Sequence, residues 1–272
     1  MSADLAKRWR QATASLRLLP DFIIPGEAKC GTTSLYNYLC QHPGVLAASM
    51  KEPNNFWRHG ASPFQCRQYY PLRSLEFLRV LRGQRTTTGE ASPEYLSKPG
   101  VARSVREVVP EVRLIFLFRD PVERAFSDHQ MLVKAGVEKG SFRDRIKASL
   151  SWWNGADTRE LLIACNGLEH HPGRYLLRGL YADNLVEWTK EFTHAKMLFV
   201  ESEEMFENPQ EVMKTVFGFL GLAPWEGGDW PILKKGEYGE DFDPELREEL
   251  REFYHEPNQR LERITNRKWR WA

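Results

Sequence analysis

The chain has 272 residues, of which 42% are hydrophobic and 28% are charged. This length and composition exclude a disordered or low-complexity polymer, and they suffice for one large domain with a buried core. The 38 lysines and arginines nearly balance the 37 aspartates and glutamates, so the formal net charge is +1. This balance disfavours general binding to nucleic acid, because such binding needs an excess of positive charge.

Cysteine spacing and apolar runs add two further limits. The four cysteines, Cys30, Cys40, Cys66 and Cys165, form no CxxC pair and have no histidine at zinc-ligand spacing. They are predicted to be free thiols, although an even number also permits two disulfides. No run reaches the roughly 18 apolar residues of a membrane span. Residues 1–20 are predicted to be an amphipathic, basic segment that precedes the domain.

Short hydrophobic runs alternate with helical patterns along the chain. Strands are predicted over 21–26, 86–89, 112–118 and 197–200. Helices are predicted over 32–40, 121–134, 179–192, 209–220 and from 243 to about 254. The alternation predicts the α/β class, with a central, mainly parallel sheet flanked by helices and a single domain over 21–272. Residues 136–172 are the least regular and are predicted to be an insertion that faces the substrate.

A glycine-containing loop follows the first strand. Gly26 and Gly31 flank Lys29, and Thr32 and Thr33 begin the next helix. Backbone N–H groups at such a helix start converge on one point and favour an anion. In the kinase-type loop a lysine directly follows the second glycine, whereas here the lysine lies inside the loop. The pattern predicts a phosphate- or sulfate-binding loop, with an ordinary capped turn as the alternative.

A second candidate anion site follows the clearest strand. Arg119 stands at its carboxyl end, where open α/β sheets bind ligands, and Ser127 lies about two helical turns further on. A guanidinium fork and a hydroxyl suit a second phosphate. The alternative is an arginine paired with Asp120 or Glu123. Two such sites at neighbouring strand ends would fit a nucleotide with phosphates at both ends.

Five segments carry a family resemblance, in order, over residues 21 to about 265. They are PGEAKCGTTSLYNYL, KEPNNFW, GEASPEYL, RLIFLFRDPVERAFSDH and FYHEPNQRL. The first resembles the 5′-phosphosulfate loop, and the fourth the 3′-phosphate motif, of sulfotransferases that use 3′-phosphoadenosine 5′-phosphosulfate (PAPS). The set is most similar to the carbohydrate sulfotransferases of the heparan and chondroitin sulfate type.

The resemblance implies a role for each candidate donor-binding residue. Lys29 would stabilise the leaving oxygen, and the loop residues Cys30, Gly31, Thr32, Thr33 and Ser34 would hold the 5′-phosphate. Arg119 and Ser127 would hold the 3′-phosphate. Lys235 and Gly236 are similar to a late Lys-Gly loop that closes over that phosphate. The product would be 3′-phosphoadenosine 5′-phosphate (PAP), and no metal is expected.

The resemblance also implies residues for the acceptor side. Glu90 is predicted to be the base that takes the proton of the acceptor hydroxyl. Lys51, Trp57 and His59 are predicted to contact the acceptor. Some relatives carry a histidine directly after their KEP residues, where this chain has Asn54, so a histidine base is not expected at that position.

The implied reaction is sulfuryl transfer from PAPS to a carbohydrate hydroxyl. Three alternatives remain at this point: a small hydroxylated natural product as acceptor, a P-loop kinase or NTPase, and a non-catalytic nucleotide- or glycan-binding protein. No nucleic-acid partner is expected. The chain is predicted to be soluble and cytoplasmic, or to lie in the Golgi lumen if it is a truncated catalytic domain.

Overall fold

The computed structural model describes residues 2–58, 62–153, 160–161, 171, 173–233 and 242–272. Within these ranges one sheet is formed by the strands Phe22–Ile24 (β1), Gly89–Ala91 (β2), Arg113–Phe118 (β3) and Met197–Glu201 (β4). The strand order is β2-β1-β3-β4, and every neighbouring pair is parallel. Parallel neighbours require crossover connections, which the intervening helices supply. The predicted α/β class is confirmed.

The helices precede and follow the strands as the alternating pattern predicted. Those with described bounds are Ala3–Ala12 (α1), Thr32–Gln41 (α2), Asn55–Arg58 (α3), Pro63–Arg67 (α4), Arg73–Val80 (α5), Val101–Val108 (α6), Pro121–Lys134 (α7), Phe142–Trp153 (α8), Arg174–Leu177 (α9), Tyr181–Glu191 (α10), Ser202–Glu207 (α11), Pro209–Leu220 (α12) and Pro244–Thr265 (α13). Short 3₁₀ turns lie at Ala14–Leu16, Pro93–Tyr95 and His194–Lys196.

The sheet is buried and is surrounded by aromatic side chains. All residues of β1 and β2 are buried, as are residues 114–118 of β3. Phe116 stacks on Phe199 of β4, with ring centroids 5.6 Å apart, and Trp188 of α10 meets Phe116 edge to face at 5.5 Å. A second apolar cluster joins α7, α8, α9 and α13. Burial on both faces explains why the strands are continuous hydrophobic runs.

Several predicted bounds differ from the observed ones. The predicted strand 86–89 is wrong in its position, because the strand begins at Gly89 and Thr87 instead forms an isolated bridge with Val45. Helix α13 continues beyond the predicted end near residue 254 and contains Pro257. Buried Tyr254, Asn258, Leu261 and Thr265 lie along one helical stripe of α13.

Two further regions also show more structure than was predicted. Residues 1–20 include helix α1, whose amino end is capped by the Ser2 hydroxyl. The supposedly irregular segment 136–172 contains α8, although residues 154–159, 162–170 and 172 lie outside the described residues. The domain boundary at residue 20 stays a prediction.

Two findings bear on the environment of the chain. None of the helices in the described ranges is long and apolar enough to cross a membrane. Cys30, Cys40 and Cys66 carry free thiols, whereas Cys165 lies outside the described part of the chain.

Candidate active site

A cavity of about 670 Å³ opens at the carboxyl ends of the strands. Its volume is in the range typical of small-molecule sites, and its position is the one at which open α/β sheets bind ligands. All four strand ends contribute to it. The lining residues are Ala28, Lys29, Gly31, Thr32, Thr33, Glu52, Asn54, Pro93, Glu94, Arg119, Glu123, Ser127, Met131, Ser202, Glu203, Phe206, Glu207, Ile232 and Leu233.

The loop between β1 and α2 has the backbone shape of an anion cradle. Lys29 and Gly31 both have positive φ, at 73° and 88°. A left-handed conformation is uncommon for lysine and is often retained at functional sites. A side chain on Gly31 would also meet Phe206 at 2.9 Å, and one on Gly26 would meet Thr32 at 2.6 Å. Both glycines are therefore needed for the loop to keep this shape.

Two of the predicted loop residues lie beneath the cavity surface. Cys30 is fully buried, and its Sγ lies 3.6 Å from the Tyr181 hydroxyl. Burial raises the pKa of this thiol to about 11, so it stays protonated near neutral pH. The Ser34 hydroxyl accepts a hydrogen bond from the Leu233 N–H at 3.1 Å. Neither side chain lines the cavity, so contact between these residues and an anion would come from their backbone.

Arg119, which follows β3, and Ser127 of helix α7 reach the same cavity. Asp120 caps the helix by accepting from the N–H of Val122 at 2.8 Å and from that of Glu123 at 3.4 Å. Pro121 occupies the first helical position, where its missing N–H leaves no helical bond unmade. Arg119 and Ser127 both line the cavity together with Lys29. The two predicted anion sites are thus parts of one space.

The end of β4 contributes residues that were not predicted. Ser202, Glu203, Phe206 and Glu207 of α11 line the cavity. Glu203 accepts a hydrogen bond from the Asp120 N–H at 3.1 Å, and burial raises the pKa of its carboxyl. The sequence did hold a signal for these residues. They follow the predicted strand 197–200, and the carboxyl end of every parallel strand lies at this edge of the sheet.

Glu90, the predicted base, lies outside the cavity lining. It lies in the middle of β2, is fully buried and does not line the cavity. Its carboxylate accepts hydrogen bonds from Ser92 at 2.6 Å, Tyr70 at 3.1 Å and Tyr95 at 3.4 Å. Burial raises the pKa of Glu90 to about 7, even though these hydrogen bonds lower it. Its assignment as the base stays a prediction.

The segment after Ser49 places a different glutamate in the cavity. The Ala91 N–H donates to the Lys51 carbonyl at 3.2 Å, which fixes this segment beside the end of β2. Glu52 lines the cavity, forms an ion pair with Lys51, and has 42% of its side chain exposed. Lys51 itself does not line the cavity.

Trp57, predicted to contact the acceptor, is half-buried beside the sheet core. The Lys98 ammonium lies 2.8 Å from the centroid of its ring. Trp57 does not line the cavity. His59, Lys235 and Gly236 lie outside the described residues, so their predicted contacts stay predictions.

Ion pairs of buried basic side chains link the segment after β2 to the loop after β1. Glu94 forms ion pairs with Lys98 at 2.9 Å and with Arg178 at 3.1 Å, and Arg178 also lies 3.9 Å from Glu27 of the loop. Burial opposes ionisation of Glu94, but Arg178 and Lys98 lower its pKa below the ordinary value. Glu94 is therefore a poor proton acceptor, and it holds the loop in place through Arg178.

A second buried group lies beneath α7. Asp128 is fully buried and pairs with Arg174 at 3.1 Å and with Arg124 at 3.6 Å. Burial alone would raise the pKa of Asp128, but Arg174 and Arg124 lower it below its ordinary value. These pairs connect α7, which carries Ser127, to α9.

Comparison with known proteins is consistent with this geometry. The family model of the sulfotransferase domain matches residues 19–228. The sequence is 26% identical to carbohydrate sulfotransferase 15 of Mus musculus, in an alignment that covers 92% of this chain and 54% of the relative. It is 28% identical to heparan sulfate glucosamine 3-O-sulfotransferase 3B1 of Mus musculus, over 95% of this chain and 66% of the relative.

One solved structure extends the comparison to three dimensions. The crystal structure of a sulfotransferase from Alicyclobacillus acidocaldarius superposes with a TM-score of 0.71 at 29% identity, over 93% of this chain and 99% of that one. By contrast, the chain spans about half the length of carbohydrate sulfotransferase 15.

Proposed function

Because the chain belongs to the sulfotransferase family of enzymes, we propose that it transfers a sulfuryl group from PAPS to an acceptor hydroxyl. The observation that carries the proposal is that Lys29, Thr32 and Thr33 share one cavity with Arg119 and Ser127. Two separate sets of anion-binding groups suit a donor with a 5′-phosphosulfate and a separate 3′-phosphate. ATP lacks the 3′-phosphate that Arg119 and Ser127 would bind.

The reaction is an in-line displacement. The bond between sulfur and the bridging oxygen of the 5′-phosphate breaks as a bond between sulfur and the acceptor oxygen forms, and PAP leaves. Negative charge grows on the bridging oxygen, where the Lys29 ammonium would stabilise it. The amide groups at the start of α2 and the hydroxyls of Thr32 and Thr33 would hold the phosphate in line.

The proton of the acceptor hydroxyl must go to a base. Glu52 is favoured by its position, because its partly exposed carboxylate lines the cavity. Glu90 is buried beneath three hydroxyl donors, so contact with an acceptor would require a rearrangement around it. Its raised pKa nevertheless suits a proton acceptor. We therefore propose Glu52 as the base and retain Glu90 as the competing candidate.

We propose a carbohydrate with little negative charge as the acceptor. The relatives named above include carbohydrate sulfotransferases, and the cavity wall is rich in carboxylates. Those that line it are Glu52, Glu94, Glu123, Glu203 and Glu207. The oxygens of these carboxylates can accept hydrogen bonds from the hydroxyls of a neutral sugar, whereas a sulfate group offers them no donor. Lys51, Trp57 and His59 stay as predicted acceptor contacts.

Donor specificity tests the proposal directly. Thermal denaturation is measured with PAP, with ATP and without nucleotide, because a ligand that binds only the folded chain raises the melting temperature. PAP should stabilise the chain and ATP should have little effect. Stabilisation by ATP alone would contradict the proposal and favour the P-loop kinase or NTPase alternative.

A transfer assay then separates the acceptor classes. The chain is incubated with ³⁵S-labelled PAPS and with neutral glycans, sulfated glycans or small hydroxylated metabolites. Label should pass to a neutral glycan. Transfer only to small metabolites would support the alternative acceptor class, and PAP binding with no transfer to any acceptor would favour a non-catalytic nucleotide-binding protein.

A further inference from the structure

Helix α5 has its apolar side chains on the wrong face for a helix that packs on a core. Its half-buried residues are Glu76 and Arg79, and Arg79 donates a hydrogen bond to the Pro43 carbonyl. Phe77 and Leu81 are 62% and 67% exposed, and no residue of the helix is buried. A surface helix normally turns its apolar stripe inward. The outer side of α5 therefore presents the apolar side chains of Phe77, Leu78 and Leu81 to solvent.

The exposed apolar residues of α5 belong to a larger concentration. Fourteen large hydrophobic residues are exposed in the described part of the chain, and nine of them lie in residues 2–17 and 64–85. These nine are Leu5, Trp9, Leu16, Phe64, Leu75, Phe77, Leu78, Val80 and Leu81. Scattered exposed hydrophobics are normal on a soluble protein, but a contiguous group marks an interaction surface.

Hydrogen bonds hold these two segments beside each other. The Arg17 guanidinium donates to the Tyr70 carbonyl at 2.9 Å and lies 4.6 Å from the centre of the Trp9 ring. The Leu18 N–H donates to the Pro71 carbonyl at 2.9 Å, and Arg17 forms an antiparallel bridge with Leu72. We call residues 2–17 and 64–85 the basic apolar face.

The charge of this face is opposite to that of the rest of the chain. It contains nine lysines and arginines but only two acidic residues, Asp4 and Glu76. Because the whole chain has a net charge of +1, the remaining residues carry an excess of six acidic groups. Apolar side chains among basic ones are the composition that binds anionic membrane surfaces.

The face lies away from the cavity. Residues 2–17 lead into the amino end of β1, and residues 64–85 lead into the amino end of β2. Most of the residues lining the cavity follow the carboxyl ends of the four strands, at the opposite edge of the sheet. A chain lying with this face on a bilayer would therefore keep its cavity open to the aqueous phase.

We propose that the basic apolar face binds peripherally to bilayers that contain anionic phospholipids. The apolar side chains of α1 and α5 would enter the boundary between headgroups and acyl chains, and exposed basic residues such as Lys7, Arg73 and Arg82 would contact the lipid phosphates. This binding requires no membrane-spanning helix. None of the residues lining the cavity belongs to the face, and the proposal does not rest on sulfuryl transfer, although buried Tyr70 within the face donates a hydrogen bond to Glu90.

Flotation of the full chain with vesicles tests the proposal. The chain should float with vesicles of phosphatidylcholine and phosphatidylglycerol, should float weakly with phosphatidylcholine alone, and should be released by salt. The variant Phe77→Gln/Leu78→Gln/Leu81→Gln should lose roughly tenfold or more of its partitioning, because it removes apolar side chains from the boundary. Val133→Gln/Val137→Gln, which alters exposed residues outside the face, is the matched control.

Charge variants test the electrostatic part. Arg73→Gln/Arg82→Gln should lose roughly tenfold in binding to anionic vesicles, whereas Lys147→Gln/Lys190→Gln, on the exposed surface of α8 and α10, should bind as the unaltered chain does. Equal flotation of the face variants and their controls would overturn the proposal. So would a dimer in sedimentation equilibrium that the α5 variant dissociates, because the face would then pair with a second copy.

Discussion

The Arg119 guanidinium donates a hydrogen bond to the backbone carbonyl of Lys29, at 3.2 Å between nitrogen and oxygen. This contact joins the end of β3 to the loop that follows β1, so the two candidate phosphate sites are held together. Since Lys29 has a positive φ of 73°, the contact also supports an uncommon backbone conformation. In the proposed function Arg119 would therefore have two roles: it would bind the 3′-phosphate, and it would hold the loop that receives the 5′-phosphosulfate.

Replacing Arg119 with alanine should weaken donor binding more than it slows the chemical step. The loss of one charge-assisted contact with phosphate corresponds to about 1.5–3 kcal/mol, or roughly 10- to 100-fold in the dissociation constant. Isothermal titration calorimetry of Arg119→Ala with PAP measures this dissociation constant. Arg119→Lys should recover only part of the affinity, because an ammonium cannot reproduce the fork. Unchanged PAP affinity in Arg119→Ala would contradict the assignment.

The two candidate bases differ in what their amide variants should do. Glu52→Gln should keep PAP affinity and lose roughly 10²- to 10⁴-fold in kcat, the usual contribution of a positioned base. Glu90→Gln should keep most of its turnover if Glu90 only supports β2. The comparison is made by ³⁵S transfer at saturating donor, with PAP titration of both variants.

The reverse result has an equally clear meaning. If Glu90→Gln loses turnover while Glu52→Gln retains it, the base assignment passes to Glu90 and the three hydroxyls around it must rearrange during the reaction. Glu123→Gln is the matched control and should retain turnover, because Glu123 also lines the cavity but lies in the first turn of α7, away from the segment that carries Glu52.

The sequence predicted the cavity loops well, because their chemistry is local. Gly26, Gly31 and the hydroxyl residues after them specify a strand, a turn and a helix start within a dozen residues. By contrast, the burial of Glu90 depends on Tyr70, twenty residues away in the sequence, whose hydroxyl reaches its carboxylate. Glu52 and Glu203 likewise reach the cavity because separate segments of the chain pack together, and residue spacing does not encode that packing.

Helix α5 shows a second feature that the sequence alone does not predict, which is the side of a helix that faces solvent. Its apolar residues are as frequent as in a core-facing helix, and the sequence alone does not tell which side meets the protein. The partial burial of Glu76 and Arg79, together with the exposure of Phe77 and Leu81, places its apolar side outward. Local pattern therefore predicts elements, whereas exposure is a property of the assembled fold.

The raised pKa of Glu90 should make stability depend on pH. Burial raises the pKa of Glu90 to about 7 in the folded chain, whereas its pKa in the unfolded chain is about 4.3. Between these values the folded chain holds a proton that the unfolded chain releases, so this contribution to stability falls as the pH rises and is constant above about 7. Urea unfolding of Glu90→Gln and the unaltered chain should show the variant gaining up to about 3 kcal/mol relative to the unaltered chain between about pH 5 and pH 8. A difference independent of pH would contradict the raised pKa.

The buried pairs of Asp128 should contribute strongly to stability. Replacing Asp128 with asparagine leaves the charges of Arg174 and Arg124 without their partner, which should lower the free energy of unfolding by about 3–5 kcal/mol at neutral pH. Because the pKa of Asp128 is lowered in the fold, its contribution is complete above about pH 4 and is lost as the pH falls through the folded value. Urea unfolding measures both effects. Asp4→Asn, which alters a largely exposed ion pair, should change stability by less than about 1 kcal/mol. An equal effect of the two variants would show that the buried pairs add nothing beyond a surface contact.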